Sequence, residues 1–361
     1  MCPSPATPLP PTAAAHPART VLAGEGYVVL PRAVAADTVD RARAFIDATV
    51  DHSQRMVRPD LHLGSAKDPA LGSLLAGLLP ALRSLVGDTE LLVGSDTFDP
   101  QNTAASIALV YPSERPERGS RAGQVVGGSG YRLEDVPFYG WQGHIDGIWS
   151  GGSAPPDIGA DVPADSDWYT AVGTNGCPLV VAEDDAGRPA SSVSHFTCLV
   201  GVALSDMLVD GMGQLGVLPR AHQPLAEVFR AQREQGGPLG PGGPGWERED
   251  AAAPNRHGVR YYPDVLRRGR PAHVSADGKL WPEPTLVKLA RGDAVVVMHG
   301  LPHSATRNES DEIRHMVYFR ATRADRPAGQ LGFCPDALCD PFLEFDGLGE
   351  AAVVAAQRSR L

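Results

Sequence analysis

The stretch GDAVVVMHGLPHSATRNESDEIRHMVYFR, Gly292–Arg320, contains two apolar runs separated by a polar, turn-rich segment. Asp293–His299 (DAVVVMH) is short, valine-rich and bounded by Gly292 and Gly300, while Ile313–Arg323 (IRHMVYFRATR) is β-branched and aromatic. Both read as strands. The segment between them carries no helical periodicity, which argues against successive strands of a parallel α/β sheet. Working outward, Glu90–Phe98, Ala104–Pro112, His195–Asp206, Gln214–Pro219 and Thr285–Leu289 give further strand signals without intervening helices. Many short strands in that arrangement imply a sandwich or barrel.

The flanking segments differ. GYVVLP, from Gly26, reads as one more strand, and Ala35–Val50 has apolar positions at helical spacing with Asp37 placed as a cap. Ala70–Val86 carries a leucine stripe through Leu71, Leu74, Leu75, Leu78, Leu79, Leu82 and Leu85, the mark of a helix with one buried face. Leu225–Gln235 reads as another helix. The expected organisation is a Pro/Ala-rich disordered tail over 1–20 followed by a single domain over 21–361. That domain has a helical part at about 33–87, a β core at about 90–323 with long loop insertions at 150–194 and 236–277, and an extension over 324–361.

Of 361 residues 42% are hydrophobic and 21% charged, which is ordinary for a globular chain. A formal net charge of −11 argues against nucleic acid or anionic lipid as partner, because both demand a basic face. No uninterrupted apolar run suggests a membrane span, and the N-terminal residues lack a signal-peptide pattern, so the expected location is cytoplasmic. Five scattered cysteines, Cys2, Cys177, Cys198, Cys334 and Cys339, do not form a disulfide framework. The sequence carries no sign of oligomeric state.

Chemistry concentrates in GWQGHIDGIW, Gly140–Trp149, which holds the one His-x-Asp of the chain. Chance alone supplies about one such tripeptide in a chain with this many histidines and aspartates, so context decides its meaning. Residues i and i+2 of a strand share a face, and His144 and Asp146 could therefore converge on one ion. A facial triad of two histidines and a carboxylate needs one more histidine and leaves the opposite side of the metal open. The opening stretch offers His299, His303 and His315. His315 follows Arg314 in a strand and so points the other way, His299 ends an apolar strand, and His303 lies just beyond in a loop.

GQLGVLPRAH (Gly213–His222), followed after a long excursion by GDAVVVMHGLPHSATRNESDEIR (Gly292–Arg314), resembles the phytanoyl-CoA dioxygenase family of Fe(II)- and 2-oxoglutarate-dependent oxygenases. Three elements fall in the family's order: H-x-D, a G-x-L-x-V-L-P segment, and a second histidine with a following Asn and an Arg eleven positions on. The resemblance spans roughly Gly26–Arg323 and implies a double-stranded β-helix (jelly roll, cupin-like) core with N-terminal helices. Residue by residue it implies His144, Asp146 and His303 as iron ligands and Arg314 as the partner of the distal carboxylate of 2-oxoglutarate. Pro219, Arg220, Ala221 and His222 stand where the family usually has P-G-S-H, and Ala305 stands where Ser is common, leaving Ser304 as a weaker cosubstrate contact.

The implied cofactors are Fe(II), 2-oxoglutarate as cosubstrate and O2, with a small molecule hydroxylated at an unactivated C–H. Asp146 argues against halogenation, which needs a small residue at that position; desaturation, cyclisation and epimerisation share the first step. Trp141, Gln142 and Trp149 are the nearest candidates for the substrate wall, with Trp168, Tyr169, Trp246, Tyr261 and Tyr262 further out. The rivals are another jelly-roll metalloenzyme, such as a cupin dioxygenase or isomerase, and a jelly-roll binding protein that has lost turnover.

Overall fold

The computed structural model describes residues 17–52, 61–94, 96–112, 137–141, 143–147, 182–183, 189–191, 193, 195–237, 239–241, 243–246, 258–259, 262–274, 278, 280–326 and 334–349. In chain order the elements are α1 (Pro17–Glu25), β1 (Tyr27–Leu30), α2 (Ala36–Thr49), β2 (Leu61–Lys67), α3 (Pro69–Val86), β3 (Leu91–Val93), β4 (Asp96–Thr97) and β5 (Ala104–Val110). They continue with β6 (Ala182–Glu183), β7 (Pro189–Ser191), β8 (Cys198–Ala203), β9 (Leu215–Val217), α4 (His222–Glu234), β10 (Ala272–Val274) and β11 (Leu280–Pro282). Then follow β12 (Thr285–Val287), β13 (Ala294–Met298), β14 (His303–Ala305), β15 (Arg314–Arg323) and α5 (Pro335–Cys339).

The larger sheet is antiparallel and runs β1-β13-β8-β15, after which β15 pairs β5 along Arg314–Tyr318 and β3 along Ala321–Arg323. The smaller sheet is β12-β9-β14, and an isolated bridge between His144 and His303 extends it. Along the chain, β5, β8, β13 and β15 belong to the larger sheet, while the His144 bridge, β9, β12 and β14 belong to the smaller one. This interleaving of eight strand positions between two facing sheets is a jelly roll, the double-stranded β-helix.

Side-chain alternation separates two cores. Ala294, Val296 and Met298 of β13, Val200 and Val202 of β8, and Val317, Phe319 and Ala321 of β15 pack with the buried leucines of α3. Val295 and Val297, Leu199 and Ala203, and Met316 face the opposite way, into the second cluster between the sheets. A period of two therefore gives each strand one face for the helices and one for the barrel interior.

Helix α3 is long and apolar enough to cross a membrane, but its stripe of Leu71, Leu74, Leu75, Leu78, Leu82 and Leu85 is buried in the outer core. Each such leucine contributes roughly 1.5–3 kcal/mol by leaving water. Asp68 caps the helix by accepting from the Ala70 amide at 2.8 Å, with Pro69 at the first turn.

Five sequence expectations change. Helix α1 begins at Pro17, inside the expected tail, held by burial of Leu22 and Ala23 rather than by any long periodic pattern; residues 1–16 lie outside the described residues. Asp37 is not the cap of α2: the helix starts at Ala36, and Asp37 sits in its first turn, paired with Arg41 at 2.7 Å. Strand β2, unforeseen because Leu61–Lys67 holds Gly64 and no β-branched residue, pairs along β5. His303 opens strand β14 instead of lying in a loop. Most of the 150–194 insertion lies outside the described residues, whereas 236–277 is not all loop: it contains β10, and Leu239, Trp246, Tyr262 and Leu266 within it are buried.

Candidate metal centre

Gly143 and Gly147 bracket the His-Ile-Asp segment, both with left-handed φ, 51° and 88°. At Gly143 a Cβ would also run into the indole of Trp141, so the position needs glycine twice over. Between these glycines the backbone is pinned at several points. The His144 amide donates to the His303 carbonyl at 3.0 Å and the His303 amide donates back to the His144 carbonyl at 2.8 Å. The Ile145 amide donates to the Tyr262 hydroxyl at 2.8 Å, and His299 Nε2 donates to the Asp146 carbonyl at 3.0 Å.

The result is a buried group of His144, Asp146 and His303 whose candidate ligand atoms all lie within 4.8 Å of one another. Asp146 Oδ1 is 3.5 Å from His144 Nε2 and 4.0 Å from His303 Nε2. Nδ1 of His303 lies 3.0 Å from the Leu301 carbonyl oxygen, which can only accept. Nδ1 therefore carries the proton, and Nε2 presents its lone pair to the cluster. Burial lowers the His303 pKa to about 4, so the ring is neutral, as a metal ligand must be. At Asp146 burial pushes the carboxyl upward, but Arg320, His144 and His303 outweigh it and hold the group well below the usual carboxylate range. Two imidazoles and one carboxylate on one side of a small space form the donor set of a facial triad.

Arg314 begins β15, paired with Val110 of β5, and is 2% exposed. Its Nη2 donates to the Tyr318 hydroxyl at 2.7 Å and its Nη1 to the Ala108 carbonyl at 3.4 Å, while Nε is buried without a partner. No carboxylate pairs with it among the described residues. Asn308 fixes the turn before it, donating to the Val110 and Glu312 carbonyls at 3.0 and 2.6 Å and accepting from Ser310. Alternation puts Arg314, Met316, Tyr318 and Arg320 on the inner face of β15. Gly201 on β8 pairs with Tyr318, and a Cβ there would approach the Tyr318 ring to 2.6 Å, so glycine makes the room in which that ring lies.

The remaining predicted residues fall elsewhere. Ser304 follows His303 in β14 and so faces the other side of the small sheet, with its hydroxyl donating to the Ala305 carbonyl at 3.2 Å. Trp141 lies on that same outer face, packed where Gly216 has no side chain and donating to the Gly216 carbonyl at 2.9 Å. Gln142, Trp149, Trp168, Tyr169 and Tyr261 lie outside the described residues. Trp246 and Tyr262 are buried in the inner core, their rings 4.8 Å apart. His315 is turned into the outer layer, 3.2 Å from Asp47.

Three residues take roles that the sequence reading does not give them: there Arg320 is not singled out, Tyr262 is a candidate for the substrate wall and His299 is a strand-end histidine. Arg320 donates from Nε to Asp146 Oδ2 at 2.7 Å, Tyr262 holds Ile145, and His299 holds the Asp146 carbonyl. For Arg320 a signal existed: it stands an even number of residues from Arg314 in one strand and must share its face.

No family model and no curated relative matches the sequence. Among solved structures, the chain is similar to the non-haem α-ketoglutarate-dependent carbocyclase SnoK from nogalamycin biosynthesis, at 16% identity over 85% of this chain and 83% of that one, TM-score 0.43. It is also similar to HygX from Streptomyces hygroscopicus with nickel and 2-oxoglutarate bound, at 13% identity over 87% and 89%, TM-score 0.42. The α-ketoglutarate-dependent epimerase SnoN matches at 15% identity over 85% and 80%, TM-score 0.42. Likenesses this remote carry no argument about the reaction of this chain.

Proposed function

We propose that the protein is an Fe(II)- and 2-oxoglutarate-dependent oxygenase that hydroxylates a C–H bond of a small molecule. The observation that carries this reading is a cluster of two imidazoles and one carboxylate in the same barrel interior as a buried arginine without an acidic partner among the described residues. An arginine buried without a counter-charge is costly, and an anionic ligand offsets that cost. The planar guanidinium of Arg314 suits a carboxylate, which it can meet through two N–H groups.

In this assignment His144, Asp146 and His303 hold the metal from one side and leave the other for the cosubstrate and oxygen. When bound, iron with 2-oxoglutarate and O2 supplies the oxidant for the C–H bond, releasing succinate and CO2. Arg314 anchors the distal carboxylate, Tyr318 fixes the guanidinium through its hydroxyl, and the apolar walls from β8, β13 and β15 keep water from the reacting groups. Asp146 holds the position that a halide would need, which supports oxygen transfer over halogenation.

The test is succinate formation by the purified protein with Fe(II), 2-oxoglutarate and ascorbate, repeated with His144→Ala and Arg314→Ala. The expected outcome is turnover in the wild type that both variants lose. A wild-type protein that binds neither Fe(II) nor 2-oxoglutarate overturns the assignment.

A further inference from the structure

We propose that Arg320 is a positioning residue that confines Asp146 to metal coordination through a single oxygen. The inference rests on the metal assignment above and concerns how the carboxylate is presented. The two oxygens of Asp146 have different surroundings. Oδ1 faces the imidazoles, 3.5 Å from His144 Nε2 and 4.0 Å from His303 Nε2, whereas Oδ2 accepts from Arg320 Nε at 2.7 Å. A carboxylate with one oxygen engaged in a charge-assisted hydrogen bond of that length gives up the bond if it turns to chelate an ion with both. Arg320 thereby keeps one more coordination position open for exogenous ligands.

The guanidinium is itself held in place. Its carbon lies 5.9 Å from the centroid of the Phe196 ring, and Phe196 meets the His299 ring edge-on at a centroid distance of 4.8 Å. His299 in turn holds the Asp146 carbonyl at 3.0 Å. The row Arg320–Phe196–His299 thus grips Asp146 at its carboxylate and at its backbone. An exposed guanidinium, its side chain 45% accessible, is placed to steer the carboxylate from the side without blocking the site.

Co(II) serves as the probe, because its visible absorption reports coordination number and its binding can be titrated without turnover. Arg320→Ala is expected to weaken Co(II) binding roughly 10- to 100-fold, the usual effect of removing a group that orients a ligand. It should also change the Co(II) spectrum, as the released Oδ2 joins the metal. Millimolar methylguanidine should restore both spectrum and affinity, and Arg320→Lys should fall between wild type and Arg320→Ala. Loss of affinity in Arg320→Ala without spectral change or rescue would mean a merely structural role and overturn the proposal. So would wild-type affinity and spectrum in a folded Arg320→Ala protein, with the metal assignment intact. Failure of the wild-type protein to bind Co(II) or Fe(II) would overturn the metal assignment and this inference together.

Discussion

Arg314 is the residue in which sequence pattern and physical chemistry meet most closely. A guanidinium 2% exposed, bonded to a tyrosine hydroxyl and a backbone carbonyl, has in its orphaned Nε a donor to spare, which the proposed function gives to an anion. Arg314→Gln should therefore raise the KM for 2-oxoglutarate roughly 10- to 100-fold, the value of a hydrogen bond to a charged group, with Fe(II) affinity unchanged. A steady-state titration of cosubstrate checks this, and Arg314→Lys should recover part of the loss, keeping charge without the fork. At His303 the expected outcome differs: His303→Ala should abolish metal binding measured by equilibrium dialysis, leaving no cosubstrate-dependent activity to titrate. The cluster of His144, Asp146 and His303 and the buried Arg314 were singled out in the sequence through a resemblance, because each sits in a short motif at fixed spacing. The contacts that Arg320, His299 and Tyr262 make were not legible there, because pairings between β15, the end of β13 and a loop before β10 depend on how the sheets close.

At the scale of elements, β15 joins the outer and inner cores. One face carries Val317, Phe319 and Ala321 to the helices, and the other carries Arg314, Tyr318 and Arg320 toward the site. Gly201, opposite Tyr318, is the test of this division. Valine is a better strand former than glycine, yet its Cβ would meet the Tyr318 ring at 2.6 Å. Gly201→Val should displace that ring, loosen its bond to Arg314 and raise the KM for 2-oxoglutarate several-fold, while overpacking lowers stability by about 1–3 kcal/mol in urea unfolding. Strand positions were readable because valine-rich runs with period two are a strong signal. The start of α1 and strand β2 were not, since each is specified by packing partners distant in sequence.

For the whole molecule, five of the buried histidines among the described residues, His195, His222, His299, His303 and His315, have a pKa lowered by burial and shape the response to acid. Burial lowers the pKa of His222, His299 and His303 to about 4 and that of His195 well below its usual value of 6.5. An unfolded chain binds these protons near pH 6.5 and the folded one does so only at much lower pH, so stability is full above 6.5 and falls as pH drops toward 4. The slope is up to about 1.4 kcal/mol per pH unit for each histidine. Melting of the metal-free protein by circular dichroism should show the midpoint falling steadily across that window, and a flat profile would contradict the buried neutral state. The paired backbone bonds between His144 and His303 have a further consequence. They join points 159 residues apart, so during synthesis a chain that has not yet emitted β14 owns one histidine and one aspartate but no complete site. On the proposed assignment, only a finished barrel brings the three groups together, so the nascent chain would not hold a redox-active ion in half a cage.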